Sequence, residues 1–246
     1  MKELLRRFAA WCGFFRCPLC MEQSGNGCNE VCQECRKKLP LLPVQGRCPG
    51  CGGRNDSALA ICQACLEFPM RPYIDAVAVM EYTGKGREMI RNLKFRRSPE
   101  FARPLAMLAV EKLAESGIYF DVIIPIPLHW QRNLVRSYNQ SELIAAIIAA
   151  ETGKPLLHGL KKILPTRRQA GLQKEQRQRN LKRALAVKDP SFSGKHVLLV
   201  DDVLTTGTTL STAAGILMKN GAASVRVLCC ARTPLKRNSY VAKEKK

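Results

Sequence analysis

The chain has 246 residues, 46% of them apolar, enough for one domain of ordinary core size plus something smaller. It carries 40 Lys and Arg against 20 Asp and Glu, a net charge of +20, so its partners are expected to be anionic: a phosphorylated substrate, nucleic acid or an acidic lipid surface. No apolar run reaches the roughly 18 residues of a membrane-spanning helix, and the amino terminus has no uninterrupted apolar segment of a secretory signal, which points to a cytoplasmic protein with reduced thiols.

In chain order, Leu4, Leu5, Phe8, Trp11, Cys12 and Phe15 recur at helical spacing, with Lys2, Arg6 and Arg7 between them. The reading is a short helix over residues 1–16 that packs on the rest of the protein. A helix lying on a membrane surface is the alternative.

Residues 17–67 hold the first strong signal. Cys17-x-x-Cys20 and Cys32-x-x-Cys35 are separated by eleven residues, and Cys48-x-x-Cys51 and Cys62-x-x-Cys65 by ten. Each pair sets two sulfurs on one tight turn, and two such turns complete a tetrahedron. The spacing therefore predicts a double zinc ribbon with two structural Zn²⁺ ions, each held by four cysteines with no open position. Sequential pairing, Cys17/Cys20/Cys32/Cys35 and Cys48/Cys51/Cys62/Cys65, is expected, and interleaving is the alternative. Disulfides do not suit the compartment. Few large apolar residues lie between the ligands, so metal is expected to supply most of the local folding energy. Cys12 and Cys28 have no assigned role, and Cys229 and Cys230 lie in an apolar run and are expected to be buried.

Phe68–Pro72 reads as a linker into a domain over residues 73–234. Asp75–Glu81 alternates as a strand, Tyr82–Gly86 reads as a turn, Gly86–Phe95 as a helix, and Pro104–Ser116 as a helix stopped by Gly117. Asp121–Arg132 reads as a buried strand that runs into a Pro-x-Pro loop, with His129 and Arg132 in it and Arg136 just beyond. Asn139 and Glu142 form a capping box for a helix through Ala150. Arg132 and Arg136 offer a second anion site, with solvated arginines near a turn as the alternative. Between Lys161 and Arg183 there are nine Lys or Arg and one acid, Glu175. Thr166–Arg179 reads as a long loop of the kind that closes over a site. Residues 235–246 form a basic tail.

The second strong signal is His196-Val-Leu-Leu-Val-Asp-Asp-Val-Leu-Thr-Thr-Gly-Thr-Thr-Leu210. An apolar strand, Val197–Val200, leads to the acidic pair Asp201 and Asp202. A loop follows, Thr205, Thr206, Gly207, Thr208 and Thr209, then a helix over Leu210–Lys219 and a second strand, Val225–Ala231: a parallel βαβ unit. The free N–H groups at the helix start and the four hydroxyls suit one phosphate. The spacing fits neither GxxxxGK[ST] nor GxGxxG. Carboxylates suit ribose hydroxyls or a hydrated Mg²⁺. Loop and acids together fit a phosphorylated sugar.

This motif resembles the phosphoribosyl-diphosphate (PRPP) signature of type I phosphoribosyltransferases. With the cysteine-rich start, Leu93-Lys94-Phe95, Ile124-Pro-Ile-Pro-Leu with Arg132, Asn139-Gln140, and Gln169, Leu172, Arg177 and Asn180, the chain resembles the ComF family over nearly its whole length. The resemblance implies an α/β, type I phosphoribosyltransferase-like parallel-sheet domain behind the small zinc ribbon. It implies binding of PRPP with Mg²⁺, Thr205–Thr209 on the 5′-phosphate, Asp201 and Asp202 on the ribose hydroxyls, and the Leu128–Arg132 loop on diphosphate. Arg177 and Lys94 become candidates for diphosphate charge, and His129 is the nearest candidate base. It further implies a role in DNA uptake or utilisation at the inner face of the membrane, with single-stranded DNA, a competence helicase or recombination-mediator proteins as partners. A non-catalytic module for single-stranded DNA and a nucleobase-salvage transferase are the alternative functions.

Overall fold

The computed structural model describes residues 16–22, 30–66, 71–96, 98–128, 138–163 and 185–234. The amino-terminal helix, Cys12, Cys28, His129, Arg132, Arg136, the Thr166–Asn180 segment with Arg177, and the basic tail lie outside the described residues. No helix among the described residues is long and apolar enough to cross a membrane.

Two short helices, α1 (Gln33–Lys37) and α2 (Gln63–Leu66), precede the sheet. Strand β1 (Asp75–Glu81) follows, then α3 (Gly84–Phe95), a 3₁₀ turn and α4 (Ala102–Ser116). Next come β2 (Val122–Pro125), α5 (Gln140–Thr152), β3 (Leu160–Lys162) and β4 (Leu185–Val187). The chain closes with β5 (His196–Leu204), α6 (Thr208–Lys219) and β6 (Ser224–Arg232). The main sheet runs β1-β6-β5-β2, and every pairing in it is parallel. The β5–α6–β6 unit is the predicted crossover. β3 and β4 form a separate antiparallel pair.

Alternation along the strands builds two cores. Ala76, Ala78, Val197, Leu199, Val225 and Val227 lie on the side of the sheet covered by α6 and the Cys48–Cys65 segment. Val77, Val79, Leu198, Val200 and Leu228 face α3, α4 and α5. Buried on both faces, the central strands must be apolar nearly throughout, which is why they read as continuous runs. Cys229 and Cys230 are both fully buried, one on each side.

The elements differ from the sequence reading at their ends. α3 starts at Gly84, so the second half of the expected Tyr82–Gly86 turn is the helix's first turn, with Thr83 extended at its amino end. α4 ends as expected on Gly117, in the left-handed region at φ 63°. The larger difference is β5, which continues past Val200 to Leu204. Asp201 and Asp202 therefore sit within the strand and not after it. The cause is β6, whose apolar run continues alongside and pairs Asp201 with Cys229, Val203 with Ala231 and Leu204 with Arg232.

The Cys48–Cys65 segment is not remote from this sheet. Its four cysteines belong to the same core as Tyr73, Ala78 and Cys229. Gly52, at φ 68°, presses its backbone on β1, and a Cβ there would stand 2.4 Å from the Ala78 nitrogen. Just before it, Leu41 bridges Met80, and Leu42 N–H donates to the Val79 carbonyl at 2.9 Å, which covers the exposed edge of β1.

Candidate functional site

The carboxyl end of β5 gathers three elements. α5 begins beside it: the Asn139 side chain caps the helix by accepting from Ser141 N–H at 3.1 Å, and its amide donates to the Ile126 carbonyl at 3.0 Å. That sets Ser141, whose hydroxyl donates to Asp201 Oδ1 at 2.9 Å. The end of α3 docks on the same place, where Tyr138 hydroxyl donates to the Leu93 carbonyl at 2.7 Å. Lys94 then reaches Asp202, with Nζ 2.7 Å from Oδ1. In the sequence reading Lys94 is a candidate for diphosphate charge, and here its ammonium balances Asp202.

The two carboxylates have different electrostatics. Asp202 has a cation at contact distance. Asp201 has a hydroxyl and the Asp202 N–H, at 2.8 Å. Burial first, and the neighbouring Asp202 charge second, push the Asp201 carboxyl up to about 7. An additional cation or donor at this point would therefore be favoured, because it relieves a strained like-charge pair.

The Thr205–Thr209 loop runs from the end of β5 into α6. Gly207 is the amino cap of α6 at φ 76°, a conformation that costs L-residues energy. Thr206 and Thr208 hydroxyls lie 2.8 Å apart, and Thr205 and Thr206 are exposed. The structure thus brings Asp201, Asp202 and all five loop residues to one corner, at the carboxyl end of a parallel sheet where such folds place ligands. Two residues of this corner carried no local sequence signal for the site. Ser141 reads only as part of a helix start, and Arg71 lies in the expected linker. A Cβ on Gly207 would stand 3.1 Å from Arg71 Nη1 and 3.7 Å from Nη2, so the guanidinium lies over the loop. A shallow cleft of about 630 Å³ lined by Arg47, Asp75 and Arg226 lies at the opposite, amino-terminal end of the strands.

The cysteines group in sequential order, Cys17/Cys20/Cys32/Cys35 and Cys48/Cys51/Cys62/Cys65, with all ligand atoms of a group within 4.8 Å of one another. All eight are free thiols. Cys20 and Cys32 sulfurs are 3.7 Å apart, and Cys51 and Cys62 sulfurs 3.8 Å. A tetrahedron with Zn–S bonds of about 2.3 Å has sulfur–sulfur edges of about 3.8 Å, whereas a disulfide needs about 2.0 Å. The donor sets therefore fit Zn²⁺. Backbone N–H groups turn to the sulfurs, as in Cys62 N–H to Cys48 Sγ at 3.3 Å.

In the second group, hydrogen bonds from the Cys51 and Cys65 thiols hold Cys48 well below the ordinary thiol range. The same sharing pushes Cys51 up to about 11. Two arginines face this group. Arg71 and Arg232 both act electrostatically on Cys51, and the Arg232 guanidinium packs against Gly53. The groups differ in exposure: Cys20 is exposed in the first, and every cysteine of the second is buried.

Residues 139–246 match the phosphoribosyl transferase domain model. DNA utilization protein YhgH of Salmonella typhimurium is 32% identical to this chain, covering 90% of it and 96% of that protein. Competence protein F of Haemophilus influenzae is 30% identical over 89% of this chain and 97% of that one. Competence protein ComFC of Bacillus subtilis is 30% identical over 79% of this chain and 80% of that one. Similar to these relatives over most of its length, and matching the phosphoribosyl transferase domain, the chain belongs to the ComF family.

Proposed function

We propose that this protein binds PRPP with Mg²⁺ as a phosphoribosyltransferase of the ComF type and serves DNA uptake or utilisation. One observation carries the reading: a single strand end places two carboxylates next to a hydroxyl-rich helix cap. Thr205–Thr209 would hold the 5′-phosphate by backbone N–H groups and hydroxyls. Asp201 and Asp202 would meet the ribose 2′- and 3′-hydroxyls, directly or through a hydrated Mg²⁺. The metal supplies charge neutralisation for the departing diphosphate. The chain's own part is positioning and electrostatics around an oxocarbenium-like ribose. Arg132 and the Leu128–Arg132 loop remain the proposed diphosphate side. Zn²⁺ in each four-cysteine group has a structural task, since four sulfurs leave no place for substrate.

The test is diphosphate release from PRPP by the zinc-loaded protein, with a panel of acceptors that includes single-stranded oligonucleotides. Release that is lost in Asp201→Asn supports the transferase, and no release with any acceptor removes the catalytic part of the proposal.

The net charge of +20 favours a second reading, a module that binds single-stranded DNA, as do the DNA-related names of the relatives. Salt-sensitive oligonucleotide binding that is indifferent to Asp201→Asn would mark that reading.

A further inference from the structure

Arg232 ends β6 with a cation inside the protein. The residue is 4% exposed, and its Nε has no hydrogen-bond partner among the described residues. Nor does it belong to any ion pair among the described residues. Burying a guanidinium without a partner carries a large desolvation cost. The fold nevertheless makes room for it. The guanidinium lies flat against Gly53, where a Cβ would stand 2.7 Å from Nε and closer still to Cζ and Nη1. The Gly53 backbone is outside the left-handed region, so the close approach and not the turn calls for glycine there.

Beyond Gly53 is the second four-cysteine group. Gly53 N–H donates to the Cys51 sulfur, and its carbonyl accepts from Cys48 N–H at 2.7 Å, so this one residue separates the arginine from the ligands. The Arg232 charge acts on Cys51 and on Cys229. Four thiolates around one Zn²⁺ leave two net negative charges, and all four cysteines of this group are buried. Such a centre has the same need as the arginine, a charge of opposite sign close by in a medium of low dielectric. Arg71 is the other cation beside the group, with its Nη1 hydrogen-bonded to Gly50 and Tyr73. The first group differs, because Cys20 is exposed and water can solvate its sulfur.

We propose that Arg232 is the counter-ion of the second metal centre. Its charge offsets the surplus on the four thiolates, tightens their hold on Zn²⁺ and lowers the energy of the sulfur lone pairs. It acts across Gly53 through charge, which does not require Nε to find an acceptor. Its backbone meanwhile pairs with Leu204, the residue before the Thr205–Thr209 loop. Arg232 thus ties the metal centre to the strand end that leads into that loop. This rests on Zn²⁺ as the ion of the second group and not on what the loop binds.

The test compares the zinc-loaded full chain with Arg232→Met, which keeps much of the side chain's length without its charge. Competition with a graded series of chelators is expected to show zinc held about 10- to 100-fold more weakly at the second centre, with the first centre unchanged. Arg232→Lys restores the charge and is expected to recover part of the loss. Cobalt in place of zinc gives a readout that packing alone does not move. The thiolate-to-cobalt charge-transfer band is expected at longer wavelength in Arg232→Met, because the sulfur electrons lie higher without the cation. Unchanged zinc affinity in Arg232→Met overturns the inference. Weaker zinc with an unmoved band and no recovery in Arg232→Lys marks a packing role and overturns it too. A wild type that takes no zinc in the second group overturns the zinc reading and this inference with it. If Arg232→Met does not fold, a crystal structure of the zinc-loaded wild type decides. A guanidinium against Gly53 with no carboxylate in contact supports the inference, and one paired with a carboxylate overturns it.

Discussion

Lys94 Nζ lies 2.7 Å from Asp202 Oδ1, and both side chains are largely buried, 18% and 11% exposed. This pair fixes the end of α3 to the end of β5 and sets a cation against one of two adjacent carboxylates. Removing one partner of a buried pair leaves the other charge without compensation. Asp202→Asn is therefore expected to destabilise the protein by about 3 kcal/mol, and Lys94→Met with Asp202→Asn to regain most of it. Denaturant unfolding of the three proteins checks this. A double variant no more stable than Asp202→Asn would contradict the account.

Asp201 gives the opposite result. Its carboxyl has an ordinary value of 3.8 and is raised to about 7 in the fold, by burial first and by Asp202 second. The folded state then holds a proton that the unfolded chain releases. The stabilisation is fully present below pH 3.8 and is lost as pH rises through about 7. Asp201→Asn has no such proton. Its stability relative to wild type should rise across that window and level off above it, so that at pH 8 the variant is at least as stable. A pH-independent difference between the two would show that Asp201 keeps its ordinary affinity for the proton.

The two four-cysteine groups should give up zinc at different rates. Cys20 is exposed, while the second group lies wholly inside the core with Arg71 and Arg232 beside its negative charge. A chromophoric chelator is expected to take one equivalent quickly and the second only on unfolding. Cys65→Ser should abolish cooperative unfolding of the main domain, and Cys35→Ser should leave it largely intact. Release of both equivalents in one phase would contradict this.

Gly207 combines two demands. Its φ of 76° strains any L-residue, and a Cβ would stand 3.1 Å from Arg71 Nη1. Gly207→Ala is expected to cost about 1 kcal/mol of stability and to weaken ribose 5-phosphate binding well beyond that. Calorimetry on the folded variant separates the two effects, and unchanged affinity would show that the loop does not hold the phosphate.

What the sequence made legible follows from how local each determinant is. The cysteine grouping was readable because each pair, two residues apart, imposes its own turn. The acidic pair and the Thr-Gly loop were readable because strand, loop and helix start are contiguous. The length of β5 was not, since it depends on Cys229–Arg232 of the neighbouring strand. Lys94 was noticed for its charge, but its partner lies over a hundred positions away and is brought near by the packing of α3 on the sheet. Arg71 gave no signal, because a single arginine in a Pro-flanked linker has no periodicity. The Gly50 carbonyl and the Tyr73 hydroxyl, both brought near by the fold, give it a direction.

The central claim is that the corner formed by Asp201, Asp202 and Thr205–Thr209 grasps a phosphorylated ribose. Titration of the zinc-loaded protein with PRPP in the presence of Mg²⁺ tests it most directly. One molecule is expected to bind per chain, with an affinity that falls about 100-fold or more in Asp201→Asn, itself folded at pH 8. Binding of equal strength in that variant, or no heat of binding to the wild type, would contradict the account.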